Sequence, residues 1–166
     1  KNLDYLRNTQ EINLLKKQNQ EVKIIGSLSK SYPKRLLTVY TKLFFQNLKK
    51  YDEVFIGFAP QLILPFWQWK FRKKSVTIDF FISMYDTFIF DRKKFKKNSL
   101  FSKFFHYLDQ KTISLADTII CDTKEHGKYF TEEFNASPKQ LHTLYLEADT
   151  TIYYPREKKK ENDFFE

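Results

Sequence analysis

Short apolar runs rich in β-branched residues alternate along this chain with longer stretches of helical spacing, and no other feature restricts its fold as much. Strands are expected over 21–25, 52–58, 75–80, 118–121 and 141–146, and helices over 2–18, 33–50, 60–72, 99–115 and 123–134. The reading of 33–50 rests on Pro33 as an opener and on Leu36, Leu37, Tyr40, Leu43, Phe44 and Leu48, which recur at three and four. Leu100, Phe101, Phe104, Phe105, Leu108 and Ile113 set the same period in 99–115. Pro65 kinks or delays the aromatic helix before it. Asp122 or Thr123 caps the last helix, with Asp122 and Glu125 spaced as in a capping box, and Asn135 to Pro138 ends it. Asn19 is a left-handed stop before 21–25. Strands joined through helices pair in parallel, so the expected fold is α/β: a Rossmann-like three-layer domain with a mostly parallel sheet and right-handed crossovers. Such a sheet begins on a strand, whereas this chain begins inside a helix and on Lys1 rather than methionine. A first strand is therefore expected upstream.

With 166 residues, 42% apolar and 18% aromatic, the chain can bury one real core and is not a disordered tail. Its formal charge of +9 points to an anionic partner: nucleic acid, lipid headgroups or a phosphorylated ligand. The single cysteine, Cys121, excludes an internal disulfide framework and, behind Ile119 and Ile120, reads as a buried thiol in a reducing compartment. The most apolar stretch, 54–67, is interrupted by Pro60, Gln61 and Pro65 and falls short of the roughly 20 residues that span a bilayer. The N-terminus lacks the basic tip and apolar block of a signal peptide, so the expected location is cytoplasmic. Neither a Gly-x-Gly-x-x-Gly nor a Walker loop occurs among the three glycines. His106, His126 and His142 are far apart and without metal-ligand spacing, so neither metal nor cofactor is expected.

Four pieces in fixed order carry a family resemblance: Tyr51-Asp-Glu-Val-Phe-Ile-Gly57, Lys74-Ser-Val-Thr-Ile-Asp79, Leu115-Ala-Asp-Thr-Ile-Ile-Cys-Asp-Thr123 and Leu146-Glu-Ala-Asp-Thr-Thr-Ile-Tyr-Tyr-Pro155. Together they resemble the N-terminal domain of a family 4 glycosyltransferase, over nearly all of residues 1–155. The resemblance implies one half of a GT-B architecture, the half that binds the sugar acceptor, with a second Rossmann-like domain holding the nucleotide-sugar donor. The charged run Arg156 to Asp163 then reads as a linker, within 156–166, toward that absent C-terminal domain. The fragment alone is expected to be inactive. Two departures stand out: Phe80-Phe81 replaces the histidine that many members carry after this strand, and Glu147-Ala148 replaces the Asn-Gly of the closing motif. No catalytic histidine is carried over, and no catalytic residue is assigned.

The segment 75–97 holds the acceptor-binding candidates, because α/β sheets place ligands beyond the carboxyl ends of their strands. Asp79 ends a strand there and either reaches into the cleft toward acceptor hydroxyls or caps the next turn. Ser83, Asp86 and Thr87 form a polar cluster suited to sugar hydroxyls or to turn formation. Arg92, beside Asp91, either clamps a phosphate or carboxylate or joins a surface ion pair worth about 0–1 kcal/mol.

Two basic and aromatic patches follow: Trp67, Trp69, Lys70, Arg72, Lys73 and Lys74, then Lys93, Lys94, Lys96 and Lys97 ahead of Phe101, Phe104 and Phe105. Such rings sit at headgroup level with each base adding about 1 kcal/mol on anionic lipid, or stack bases, or turn inward beneath a solvated charged face. The resemblance favours lipid, since many such enzymes act on lipid-linked or cell-envelope acceptors at the inner membrane face, and it disfavours nucleic acid. The implied function is transfer of a sugar from a nucleotide sugar to a glycan or lipid-linked acceptor by a retaining enzyme. The alternative is a non-enzymatic basic module, a nucleic-acid binder or an adaptor.

Overall fold

Four strands, β1 (Glu53–Ile56), β2 (Ser75–Asp79), β3 (Thr118–Cys121) and β4 (Leu141–Thr143), form a single sheet in the order β1-β2-β3-β4, with every neighbouring pair parallel. This computed structural model describes residues 6–17 and 21–145. The expected α/β, Rossmann-like fold is present. The helices are α1 (Leu6–Lys17), α2 (Tyr32–Phe45), α3 (Leu64–Phe71), α4 (Leu100–Ser114) and α5 (Lys124–Phe134).

Register assigns the two faces of the sheet. Val54, Ile56, Val76, Ile78, Ile119 and Cys121 share one face and belong to the core, together with Trp67 and Phe71 of α3, Ile113 of α4, and Phe130 and Phe134 of α5. Ile78 and Ile119 are completely buried, and each contributes about 1.5–3 kcal/mol on that account. All three crossovers step the same way across the sheet, and right-handed crossovers then put α3, α4 and α5 on one side. α2 joins that layer: Tyr40 stacks edge-on against Trp67 at 5.4 Å and donates its hydroxyl to the Leu62 carbonyl. α1 lies over the opposite face, which carries Phe55, Thr77, Asp79 and Ile120.

Local chemistry explains the ends. Ser99 caps α4 by accepting from the Ser102 N–H at 3.1 Å, and Thr123 caps α5 by accepting from the His126 N–H at 3.1 Å. The capping box expected between Asp122 and Glu125 does not form, because the Asp122 carboxylate meets the His126 ring instead. Asn135 stops α5 in the left-handed conformation, at φ 58. Residues 60–62 form only a 3-10 turn and α3 begins at Leu64, the delay expected of Pro65, which stands in the first turn, where its missing N–H has no intrahelical partner to lose. Asp117 accepts from the Val76 N–H and returns its own N–H to the Val76 carbonyl, both at 2.8 Å, which aligns β3 with β2.

Two further expectations are corrected. Residues 21–25 form no strand, because a strand exists only through pairing and no described backbone pairs with them. The helix expected over 33–50 ends at Phe45, where the Gln46 N–H closes on the Lys42 and Leu43 carbonyls and the backbone then extends. The long connection after β2 contains a π-helical turn, Asp86–Asp91. The expected stop at Asn19, the closing motif with Asp149 and Pro155, and the linker over 156–166 lie outside the described residues.

Candidate functional site

Asp79 stands at the carboxyl end of β2, as the alternation of that strand requires, but its carboxylate does not face an open cleft. It is completely buried and receives both Nε and Nη2 of Arg7, at 2.6 and 2.7 Å, in a two-pronged ion pair. Arg7 also donates to the Leu144 carbonyl at 3.3 Å and lies 5.1 Å from the centre of the Phe81 ring. Asp79 thus fastens α1 to the sheet. Of the two roles foreseen for it, direct contact with a ligand is the one this geometry disfavours.

Glu11, one turn beyond Arg7, completes the buried group. A Cβ at Gly57 would come within 2.8 Å of Glu11 Oε2, so the missing side chain there is what admits the carboxyl. Burial, then the bond to Asp79 and the Asp79 charge, push Glu11 up to about 9 against the pull of Arg7. Folding therefore raises this carboxyl from its ordinary 4.5, and the folded chain keeps a proton that the unfolded chain releases between about pH 4.5 and 9. The stability from this group is full below pH 4.5 and is lost as pH rises toward 9. Urea unfolding is expected to show stability falling from about pH 5 to pH 9, with a clearly flatter profile in Glu11→Gln, which keeps an N–H donor and cannot ionise. Equal slopes in the two proteins would show Glu11 to be ionised in the folded state.

The loop after β2 is held by a residue that the sequence did not single out. Asp109 of α4, completely buried, accepts from Ser83 Oγ at 2.7 Å, Tyr85 N–H at 2.8 Å, Gln61 Nε2 at 3.0 Å and Met84 N–H at 3.2 Å. Burial pushes its carboxyl up and the four donors pull it back. Ser83 is consequently internal: its hydroxyl donates to Asp109 and accepts from the Asp86 N–H at 3.0 Å. Thr87 donates its hydroxyl to the Ser83 carbonyl at 2.7 Å. Ser83 shapes the loop rather than faces a ligand, and Thr87 is half-exposed with its hydroxyl on that loop's own backbone.

Asp86, like Thr87, is left half-exposed. Its carboxylate accepts from the Tyr129 hydroxyl at 2.7 Å; burial raises its affinity for protons, and burial first and that bond second raise Tyr129. Asp122 directly follows β3, and His126 and Tyr129 lie on α5, which starts there, so the Asp122–His126 and Asp86–Tyr129 pairs share one crest at the carboxyl edge of β2 and β3. His126 Nδ1 lies 2.5 Å from Asp122 Oδ1, and the imidazole is exposed. Phe58 and Phe81, 6.3 Å apart, add partly exposed rings. Carboxylates and partly exposed rings at one sheet edge suit a polyhydroxylated ligand: the acids accept from hydroxyls while the rings cover apolar C–H surface. Arg92, at the end of the π-helical turn, is exposed and apart from this crest's hydrogen bonds. Among the described residues, no three His, Cys, Asp or Glu side chains are grouped to hold a metal ion.

The basic and aromatic candidates divide. Trp67 is only 8% exposed and belongs to the core, whereas Trp69 is 62% exposed. Lys70 donates to the carbonyls of Leu43 and Phe44 at the end of α2, and Lys74 donates to that of Tyr51, so both are spent on backbone caps. Trp67, Lys70 and Lys74 are therefore removed as membrane contacts. Arg72, Lys73, Lys93, Lys94, Lys96 and Lys97 do face outward. Beneath the last four, Phe95 stacks on Phe101 at 4.6 Å and Phe88 on Phe105 at 4.7 Å, which pins the π-helical turn to α4. No helix among the described residues is long and apolar enough to cross a membrane.

Arg7, Glu11 and Asp109 were invisible as site residues because each sits on a helix whose face is set only by packing. Asp122 and His126 carried one signal, a spacing of four on a helix that begins where β3 ends. Compared with models of known families, with curated proteins and with solved structures, the chain matches none.

Proposed function

We propose that this domain is the acceptor-binding half of a retaining glycosyltransferase, which moves a sugar from a nucleotide sugar to a glycan or lipid-linked cell-envelope acceptor. The observation that supports it most is the carboxyl edge of the sheet, where the Asp86–Tyr129 and Asp122–His126 pairs lie at the edge that also carries the Phe58 and Phe81 rings, which follow β1 and β2. An all-parallel sheet binds ligands at that edge. The four sequence pieces that resemble family 4 glycosyltransferases lend the reading its reaction type.

In this reading Asp86 and Asp122 accept hydrogen bonds from acceptor hydroxyls, and the Asp109 hub holds the loop that carries Asp86. Positioning is the domain's contribution to rate, because a hydroxyl held in line for attack has already lost its translational freedom. A facing donor domain stabilises the departing nucleotide. Outward-facing Trp69, Arg72, Lys73, Lys93, Lys94, Lys96 and Lys97 give the enzyme peripheral contact with an anionic membrane surface at the inner face of the cell membrane.

The test uses the complete gene-encoded polypeptide with a panel of nucleotide sugars and lipid-linked or glycan acceptors. Donor turnover is expected, with Asp86→Asn raising the acceptor KM about tenfold or more while donor hydrolysis is kept, a loss of the size expected for one polar contact to a charged group. Absence of turnover with every donor, together with tight and salt-steep RNA binding in place of binding to anionic vesicles, would sink the enzyme reading in favour of a nucleic-acid module.

A further inference from the structure

A cavity of about 360 Å³ runs beside the outer edge of β1, and its walls have the form of a vacant strand position. On one side stands β1 itself, which among the described residues pairs only with β2. The Ser75 N–H donates to the Asp52 carbonyl, so residues 52, 54 and 56 turn their backbone toward β2. Backbone groups alternate along a parallel strand, and Glu53, Phe55 and Gly57 therefore turn theirs into the cavity. On the far side lies the apolar run Val22, Ile24 and Ile25, which has strand composition without a partner. Ile12 and Leu15 of α1 cover one face, and Leu36, Val39 and Leu43 of α2 cover the other. A helix on each face and a chain on each edge is the surrounding of a central strand in a three-layer α/β domain. Arg35 Nε, a buried polar atom without a hydrogen-bond partner, belongs to a residue of the same wall.

We propose that this slot holds a β-strand of the same polypeptide, contributed from upstream of α1, parallel to β1 and leading directly into α1. The direction of α1 selects a strand in cis over any other occupant. Arg7, in its first turn, bonds Asp79 at the carboxyl end of β2 and the Leu144 carbonyl beyond β4, so α1 begins at the edge where a parallel strand in the slot would hand over its chain. The helix then delivers residues 21–25 to the far side of the slot, where they become the outer strand. That makes a βαβ unit, and the sheet gains two strands. The occupant must be apolar and β-branched, because both faces of the slot are covered.

Two measurements on the gene-encoded polypeptide decide the matter, and neither depends on sugar transfer. An uncharged, β-branched run of about five residues is expected to end within roughly ten residues of Leu6. The amides of residues 53, 55 and 57 are expected to exchange with solvent at least about 100-fold more slowly there than in the chain that starts at Lys1. Equal exchange in both, or protection in the Lys1 chain only after a separate peptide or apolar molecule is added, overturns the proposal. Glu53→Pro separates the cases further. It removes an N–H that a free edge does not use, so it is expected to lower Tm in the encoded polypeptide relative to Glu53→Ala, with little difference between the two in the Lys1 chain. The same effect in both chains would again overturn it.

Discussion

Asp109→Ala is expected to destabilise the domain by about 3–5 kcal/mol, measured as a shift of the urea midpoint at constant slope. The carboxylate satisfies two backbone N–H groups, a hydroxyl and an amide, and its loss leaves buried donors that each cost about 1–3 kcal/mol. Relief from burying the acid offsets part of that sum, since its proton affinity is already raised by burial. Asp109→Asn keeps the shape but turns an NH₂ toward donors, so it is expected to recover only part of the loss. Amide exchange at Met84 and Tyr85 should accelerate in step. A change below about 1 kcal/mol for Asp109→Ala would mean that the loop reaches water without disturbing the core.

Arg7→Met is expected to cost about 3–5 kcal/mol, because it leaves the completely buried Asp79 without its cation. The double variant Arg7→Met with Asp79→Leu should be markedly more stable than Arg7→Met alone, since removal of both charges also removes the cost of burying them. Thermal unfolding of the four members of that cycle yields the coupling energy directly. Additive effects would mean that Arg7 reaches solvent in the absence of its partner and that α1 is not fastened through Asp79.

The two variants report on different parts of the same edge. Asp109 sets the course of the loop that presents Asp86, and Arg7 with Asp79 sets the position of α1. Neither needs to touch a ligand to govern one. A carboxylate at the end of a parallel strand is thus an ambiguous signal, and in this chain the residue with the best sequence credentials, Asp79, is the most deeply committed to structure.

The alternation of strand and helix patterns was legible because each described strand carries its own apolar signature and each cap its own hydroxyl or amide. Ile78 and Ile119, Ser99, Thr123 and Asn135 all act locally, as their positions imply. Residues 21–25 read as strand for the same reason, yet apolar alternation states only what a segment can do; the ladder needs a neighbour. Trp67 and Trp69 show the complementary limit. Two residues apart on one helix and stacked at 5.9 Å, they still differ in exposure, because the edge of Tyr40 on α2 packs against the first.

Taken alone, the order of residues determined an α/β chain with parallel strands and the stop of its last helix at Asn135, because these depend on period, propensity and chain connectivity. The tertiary structure decided which polar groups at the carboxyl edge of the sheet stay open. Asp79 and Ser83 turned inward because partners more than twenty residues away claimed them. Asp86, Asp122 and His126 remained on the crest, since their partners lie at its surface. A buried carboxylate is stable only beside a cation or several donors, and whether those arrive is a matter of packing across the chain.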